Sequence, residues 1–236
     1  YRKLYPKAII YISTWNNEIK KINNIELPKN IKIITSEFIK PTIGYGSTNL
    51  QIKGNIQGLE QILKDKIKYT ITMRSDQRFY NNLNLSFLKE VHRIYDYENF
   101  NKLDKQIGRL VGLSFNTFMY RLYGLSDMFL FGFTEDVLNY WNTKYDERLE
   151  SKKLYRKFTM KEYCIERINE VYFMTDFLER NGHKLKWTLK DYWSILKNRF
   201  IVIDASNLDF LWPKYSFIEE RYKKYDKNFI FKEVCF

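Results

Sequence analysis

A charged turn, MRSDQR, stands where a predicted strand ends. Its carboxylate, Asp76, can hold a divalent cation such as Mg²⁺ or Mn²⁺ against the phosphates of a ligand. The flanking Arg74 and Arg78 can also pair with phosphate oxygens, because a guanidinium group matches their geometry. The alternative is a turn aspartate that only caps a loop. The turn predicts a phosphate-binding position with Asp76 as a metal ligand. This metal assignment rests on a single carboxylate, because the sequence has no Asp-x-Asp pair here.

Two more carboxylates are candidates for acid–base chemistry. Asp127 follows Ser126 just before a predicted buried strand, where it can act as a base, bind a hydroxyl group or cap the segment. Glu162 stands three residues after Thr159, which is the spacing of a helix capping box. We favour Asp127 over Glu162 as the base, because capping already explains Glu162.

Polar residues at the ends of two predicted elements are candidate ligand contacts. Ser13, Thr14 and Trp15 close the first strand, where Trp15 can either cover a nucleotide base or fill the core. Asn49 and Gln51 begin a helix, where amide side chains and free backbone N–H groups can meet a ligand or can simply cap the helix.

The sequence lacks the common catalytic motifs. It has no Gly-x-Gly-x-x-Gly segment, Walker loop, nucleophile elbow or zinc motif. His92 and His183 are isolated and lack metal-ligand spacing, so we assign them no role.

The elements that must position these residues alternate between strand and helix. Residues 7–15 and 31–35 are apolar and of strand length, and residues 69–74 alternate as a strand does. Between the last two strands, apolar residues from Ile52 to Leu63 recur at helical spacing. This order predicts an α/β layout with parallel strand pairing.

The second half of the chain continues the alternation. We predict strands at 109–118 and 126–133, a helix from Thr134, and a loop or insertion at 92–105. The capping box at Thr159 opens one long helix that Asn181-Gly182 ends, and a further helix runs from Thr188 to about residue 198. Residues 200–204 (FIVID) form another strand.

Composition and charge bound the class of protein. The chain has 236 residues and a formal net charge of +12, which favours anionic partners such as nucleotide phosphates, nucleic acid or an acidic membrane face. A well-solvated surface is the equally good alternative. Two cysteines without metal or redox spacing indicate a reducing, cytosolic compartment, and no apolar run is long enough to span a bilayer.

Several of these segments in order resemble the WavE lipopolysaccharide-synthesis family of bacterial glycosyltransferases. The opening strand YISTWNNE, the block from Asn49-x-Gln51-Ile52 to TITMRSDQRF, and the later SDMFLFG strand carry the resemblance, with Glu162-Tyr163 further on. It covers about the first 180 residues.

The resemblance implies a GT-A-like (Rossmann-like) α/β fold with a mostly parallel central sheet flanked by helices. A single domain would occupy residues 1–205, with a helical C-terminal part, and the aromatic and basic segment 206–236 would pack on it. We expect residues 7–15 and 69–74 near the middle of the sheet.

The resemblance also implies transfer of a sugar from a nucleotide-sugar donor to an oligosaccharide or lipid-linked glycan acceptor. The transfer would take place at the cytoplasmic face of the bacterial inner membrane, where anionic lipid would hold the positively charged protein. Mg²⁺ or Mn²⁺ would bind at Asp76, and Asp127 or Glu162 would be the catalytic base. The donor would be bound by Ser13, Thr14, Trp15, Asn49, Gln51, Arg74, Asp76 and Arg78.

Two other classes of protein remain open. The charge and the scattered aromatic residues are typical of a nucleic-acid-binding protein, although the basic residues are spread over the chain and not gathered in one segment. The second open class is a non-catalytic carbohydrate-binding or scaffolding domain of the same fold.

Overall fold

A computed structural model describes residues 1, 3–22, 26–40, 47–95, 105–148, 159–168 and 170–213. Strands and helices alternate along these residues, so the predicted α/β class is confirmed. The strands are β1 Ile10–Trp15, β2 Ile31–Ser36, β3 Tyr69–Met73, β4 Arg78–Phe79, β5 Leu110–Leu113, β6 Phe129–Phe133, β7 Phe200–Ile203 and β8 Phe210–Leu211. The helices are α1 Ile19–Ile22, α2 Thr48–Lys64, α3 Asn84–Tyr95, α4 Thr134–Trp141, α5 Met160–Ile165, α6 Glu170–Arg180 and α7 Leu189–Arg199.

The central sheet is small and mixed. In the described part of the chain it has four strands in the order β3-β6-β5-β7. β6 is antiparallel to both β3 and β5, while β5 and β7 are parallel. Our prediction of a mostly parallel sheet is therefore wrong, because two of the three strand pairs are antiparallel. Three of the four strands do run in one direction, but β6 is inserted between two of them.

The first predicted strand lies outside this sheet. β1 pairs with β2 in a separate two-stranded parallel sheet, from Ile10 opposite Ile31 to Trp15 opposite Ser36. β3 is an edge strand of the four-stranded sheet as far as the structure describes it. The expectation that both strands stand in the middle of one sheet is therefore wrong. Helix α2 links the two parts, because it packs against β1 and β2 and also against α4.

Two apolar cores lie against the four-stranded sheet. One contains side chains of α2, α4, α6 and α7 together with Leu110, Leu130 and Phe200. The other contains Leu88 of α3 and the neighbouring sheet residues Val111 and Phe131. Because side chains of a strand alternate between the two faces, successive residues of β5 and β6 enter different cores.

The C-terminal end of the described chain belongs to the second core. Leu208 and Trp212 are buried in it, and β8 pairs with β4 antiparallel. The first residues of the predicted 206–236 segment thus pack on the domain, and residues 214–236 lie outside the described residues.

Three element predictions need correction. The long helix from Thr159 is two helices, because Arg167 takes a left-handed backbone (φ 50°) between α5 and α6. The strand at 109–118 is only β5, and tight turns follow it. Helix α3 was missed, and it includes His92, which we placed in a loop. The helix from Thr188 and the strand at 200–204 are confirmed.

No helix among the described residues is long and apolar enough to cross a membrane.

Candidate active site

One edge of the central sheet gathers the predicted chemistry. Met73 at the end of β3 lies opposite Phe129 at the start of β6. The MRSDQR turn after β3 and Asp127 before β6 therefore leave the sheet at the same edge. The ends of β5 and β7 also meet there, since Leu113 lies beside Ile203. Ligands of open α/β sheets bind outside the carboxyl ends of strands, and β3, β5 and β7 all end at this edge.

A polar cluster surrounds Asp127. Gln51, at the start of α2, donates from Nε2 to Ser47 Oγ at 3.3 Å, and it lies near enough to Asp127 to favour the ionised carboxylate. Arg121 and Glu170 lie close enough for their charges to act on it. Arg121 and Glu170 pair with each other, with Nη1 3.5 Å from Oε2, and both are nearly fully buried. Of the predicted residues, the fold therefore brings Gln51 and Asp127 together.

The surroundings raise the pKa of Asp127 to about 7. Burial is the largest cause and the negative charge of Glu170 adds to it, while Gln51 and Arg121 act in the opposite direction. The side chain still keeps some exposed surface. A carboxylate that is both reachable and half-protonated near neutral pH is suited to take a proton from a hydroxyl group.

The loop between β5 and β6 holds Arg121 in place. Asn116 takes a left-handed backbone (φ 65°), and its carbonyl oxygen accepts a hydrogen bond from the Arg121 guanidinium. A Cβ atom at Gly124 would overlap Nε of Arg121, so the chain needs a glycine there. Thr117 Oγ1 donates to the Leu113 carbonyl at 2.6 Å and accepts from the Ser126 N–H at 3.0 Å, which closes the loop beside Asp127.

The charged turn after β3 is ordered by its own contacts. Arg74 donates two hydrogen bonds to Asp76, at 2.9 and 3.0 Å, and its guanidinium lies 5.2 Å from the ring centre of Trp212. The buried Gln77 fixes the turn by accepting from the Arg74 N–H at 3.0 Å. Hydrogen bonds from Arg74 lower the pKa of Asp76, so its carboxylate is charged. Arg78 donates to the Gln77 carbonyl at 2.7 Å and is exposed.

The metal role that we predicted for Asp76 depends on this ion pair. Arg74 engages both carboxylate oxygens, so a cation would have to share or displace the guanidinium. Among the residues that the structure describes, no three or more His, Cys, Asp and Glu side chains are grouped to hold a metal ion. Asp76 can still contribute one oxygen to a cation held mainly by ligand phosphates, which is how Mg²⁺ is often bound.

Asn49 has a structural partner in place of a free amide. Its Nδ2 donates to the Asp146 carbonyl at 2.9 Å and its Oδ1 accepts from the Asp146 N–H at 2.7 Å. The amide therefore fastens the chain after α4 to the start of α2. Its predicted contact with a donor would compete with both bonds.

The residues at the end of β1 stand on the smaller sheet. Ser13 is exposed, and Thr14 and Trp15 are partly buried. The Trp15 ring meets Phe38 edge to face, with ring centres 5.3 Å apart. Trp15 thus has an apolar partner in Phe38 and is only partly buried.

Glu162 forms the predicted capping box. Its N–H donates to Thr159 Oγ1 at 3.2 Å, and its carboxylate accepts from the Thr159 N–H at 2.7 Å. The hydrogen bond from the Thr159 backbone lowers the pKa of Glu162, and the side chain is exposed. This charged, weakly basic carboxylate is a poorer base than Asp127.

Sequence reasoning missed the partners of Asp127. Arg121 and Glu170 belong to no motif and are 49 positions apart in the chain. A signal was available in Asn116, which lies within the segment 109–118 that we predicted as a strand, since asparagine favours left-handed turns.

No family model matches the chain, and no curated protein matches it.

Proposed function

We propose that this protein is a glycosyltransferase that uses a nucleotide-sugar donor and Asp127 as its base. The observation that carries the proposal is the position of Asp127 at the carboxyl edge of the sheet, with a pKa of about 7. A base tuned near the working pH transfers protons most effectively. A GT-A-like organisation of the fold is part of the same proposal.

In the proposed reaction, a hydroxyl oxygen of the acceptor sugar attacks the anomeric carbon of the donor and forms the new glycosidic bond. Asp127 takes the proton of that hydroxyl group. The bond between the anomeric carbon and the diphosphate oxygen breaks, and its electron pair leaves with the nucleoside diphosphate. This balance describes an inverting transfer.

In this proposal, the turn after β3 neutralises the negative charge of the leaving diphosphate. Arg74 and Arg78 lie at the same sheet edge as Asp127 and carry guanidinium groups suited to phosphate oxygens. A Mg²⁺ or Mn²⁺ ion at Asp76 would supply the same neutralisation. Ser13, Thr14, Trp15, Asn49 and Gln51 complete the proposed donor site.

The acceptor in this proposal is a lipopolysaccharide, lipooligosaccharide or capsule glycan at the cytoplasmic face of the inner membrane. The resemblance of the motifs supports it, and the surplus of positive charge agrees with an anionic surface.

The test is a thermal-shift screen of nucleoside diphosphates and nucleotide sugars, with and without Mn²⁺, followed by a transfer assay with the preferred donor. We expect one nucleotide class to raise the melting temperature, and Asp127→Asn to lower turnover about 100-fold or more with donor affinity kept. Wild-type turnover in Asp127→Asn would move the base elsewhere. Sugar binding without any nucleotide effect would favour a carbohydrate-binding protein, and a salt-sensitive gel shift would favour a nucleic-acid binder.

A further inference from the structure

Helix α3 carries apolar side chains on two of its faces. Leu88 and His92 lie one turn apart and are buried against the sheet, on the side of the second core. Leu83, Phe87 and Ile94 are also large and apolar, but they are 64 %, 36 % and 52 % exposed. A surface helix normally keeps its apolar stripe on the core side and a polar face towards solvent. Packing against the sheet therefore does not explain the second apolar face of α3.

The exposed side chains follow one another along the helix. The Phe87 N–H donates to the Leu83 carbonyl at 2.9 Å, so Leu83 stands one helical turn from Phe87. Ile94 follows Phe87 by seven residues, which is about two turns. Tyr80 precedes these residues and Tyr95 ends the helix, and they are 59 % and 56 % exposed. We call these five residues the α3 stripe, and contiguous exposed apolar surface of this kind marks an interaction site.

Positive charge flanks the α3 stripe. Lys89 and Arg93 are exposed on the same helix, one turn apart, and Glu90 is its one acidic residue. Glu90 is paired with Arg93 at 2.8 Å, which leaves the charge of Lys89 in excess. Lys68 adds a further charge, because its Nζ lies 5.5 Å from the centre of the Phe133 ring, which packs edge to face against α3. The partner of the stripe must therefore offer both apolar and negatively charged groups.

An anionic bilayer offers both kinds of group. Apolar side chains of an interfacial helix enter the boundary between headgroups and acyl chains, while Lys and Arg side chains meet the lipid phosphates. Tyrosine prefers this interface, which suits Tyr80 and Tyr95 at the two ends of the stripe. A second copy of the chain fits less well, because a two-fold contact would bring Lys89 and Arg93 of both copies together.

We propose that the α3 stripe is the surface by which this protein lies on an anionic membrane. Leu83, Phe87 and Ile94 enter the boundary between headgroups and acyl chains, and Lys68 and Lys89 contact the headgroup phosphates.

The stripe begins beside the candidate active site. Tyr80 follows Arg78 of the charged turn by two residues, which is at most about 7 Å of chain. A bilayer on the stripe therefore lies close to the sheet edge where the proposed transfer takes place. This meaning of the surface rests on the proposed function, in which a lipid-linked acceptor is presented at that edge.

The experiment measures co-sedimentation with vesicles of phosphatidylglycerol and phosphatidylcholine, and with vesicles of phosphatidylcholine alone. Leu83→Gln and Ile94→Gln keep the net charge, so they test the apolar contact. Each should weaken binding to the anionic vesicles about tenfold, because the apolar side chain that leaves water on binding is lost. Leu63→Gln is the matched control, because Leu63 is 38 % exposed on α2, across the sheet from α3, and it should bind as the wild type does.

A second pair of variants tests the charge. Lys89→Gln should weaken binding to the anionic vesicles more than Lys64→Gln does, because Lys64 is an exposed lysine at the end of α2. Equal losses in the two lysine variants would mean that net charge alone holds the protein on the vesicles. That result, or equal binding by Leu63→Gln and the two stripe variants, would overturn the proposal.

Other occupants of the stripe give different results in the same variants. A clear fall in the melting temperature of Leu83→Gln and Ile94→Gln would show that other parts of the chain cover the stripe. A wild-type dimer that these variants convert to a monomer would assign the stripe to a second copy. Either result would overturn the membrane surface.

Vesicle binding needs neither donor nor acceptor, so the surface and the proposed function fail separately. Binding through the stripe in a protein without transfer activity would leave the surface standing and remove the glycosyltransferase. Transfer activity in a protein whose vesicle binding ignores Leu83→Gln and Ile94→Gln would keep the enzyme and remove the surface.

Discussion

At Asp127, the surrounding protein opposes the charged form of the carboxylate. Its pKa is raised from 3.8 to about 7, first by burial and then by Glu170. The folded protein therefore holds the proton more tightly than the unfolded chain does. The contribution of Asp127 to the free energy of unfolding should fall as pH rises from about 4 to about 7, because its ionisation costs more in the folded state.

Asp127→Asn removes this cost, so the variant should melt at a higher temperature than the wild type at about pH 8. At about pH 4 and below, where Asp127 is protonated in the folded protein, the difference should shrink towards zero. Thermal unfolding followed by circular dichroism measures both. Glu60→Gln, at an exposed carboxylate of α2, is the matched control and should show no such pH-dependent gain. An equal gain in that control would point to net charge instead of Asp127.

The Arg74–Asp76 pair is exposed, with side chains 45 % and 41 % accessible. Such pairs contribute about 1 kcal/mol or less to stability. Asp76→Ala should therefore leave the melting temperature nearly unchanged while it weakens nucleotide-sugar binding and abolishes transfer. Isothermal calorimetry and the transfer assay measure these effects.

The Arg93–Glu90 pair on α3 is similarly exposed, so Glu90→Ala is the matched control. It should change neither binding nor transfer. If Asp76→Ala keeps full turnover, Asp76 has only a structural role in the turn. Loss of activity in that variant, combined with indifference of the wild type to a chelator, would assign the charge to the arginines.

At the scale of elements, the capping box at the start of α5 separates two roles of Glu162. Glutamine can fill the same capping position but is a far weaker base. Glu162→Gln should keep both stability and turnover, and Glu162→Ala should lose about 1 kcal/mol of stability, measured by denaturant unfolding, while it keeps its turnover when folded. A stable but inactive Glu162→Gln would make Glu162 the base and not Asp127.

At the scale of the whole molecule, the charge of +12 predicts attraction to an anionic membrane face. Sedimentation with vesicles should show binding to anionic lipid that weakens as salt is raised, because salt screens the attraction. Neutral vesicles of the same size are the control. Equal binding to both kinds of vesicle would contradict an electrostatic contribution.

Local signals in the sequence were enough to find most elements. The stripe from Ile52 to Leu63, the Thr188 cap and the apolar run FIVID each lie within one element, and each predicted its helix or strand. The capping box at Thr159 was also correct, because both of its members lie within four residues. The helix that it opens ends before Arg167, because Arg167 takes a left-handed backbone. No local sequence pattern predicted that backbone conformation.

Strand pairing and the surroundings of Asp127 were decided only by the tertiary structure. The local sequence of β6 does not predict its position between β3 and β5, because its apolar residues suit parallel and antiparallel pairing equally. The ion pair of Arg121 and Glu170 joins residues far apart in the chain, and its effect on Asp127 depends on burial. The apolar run after Asp127 was enough to predict that this residue stands before a buried strand. Its raised pKa depends on long-range contacts and desolvation, which exist only once the chain has folded.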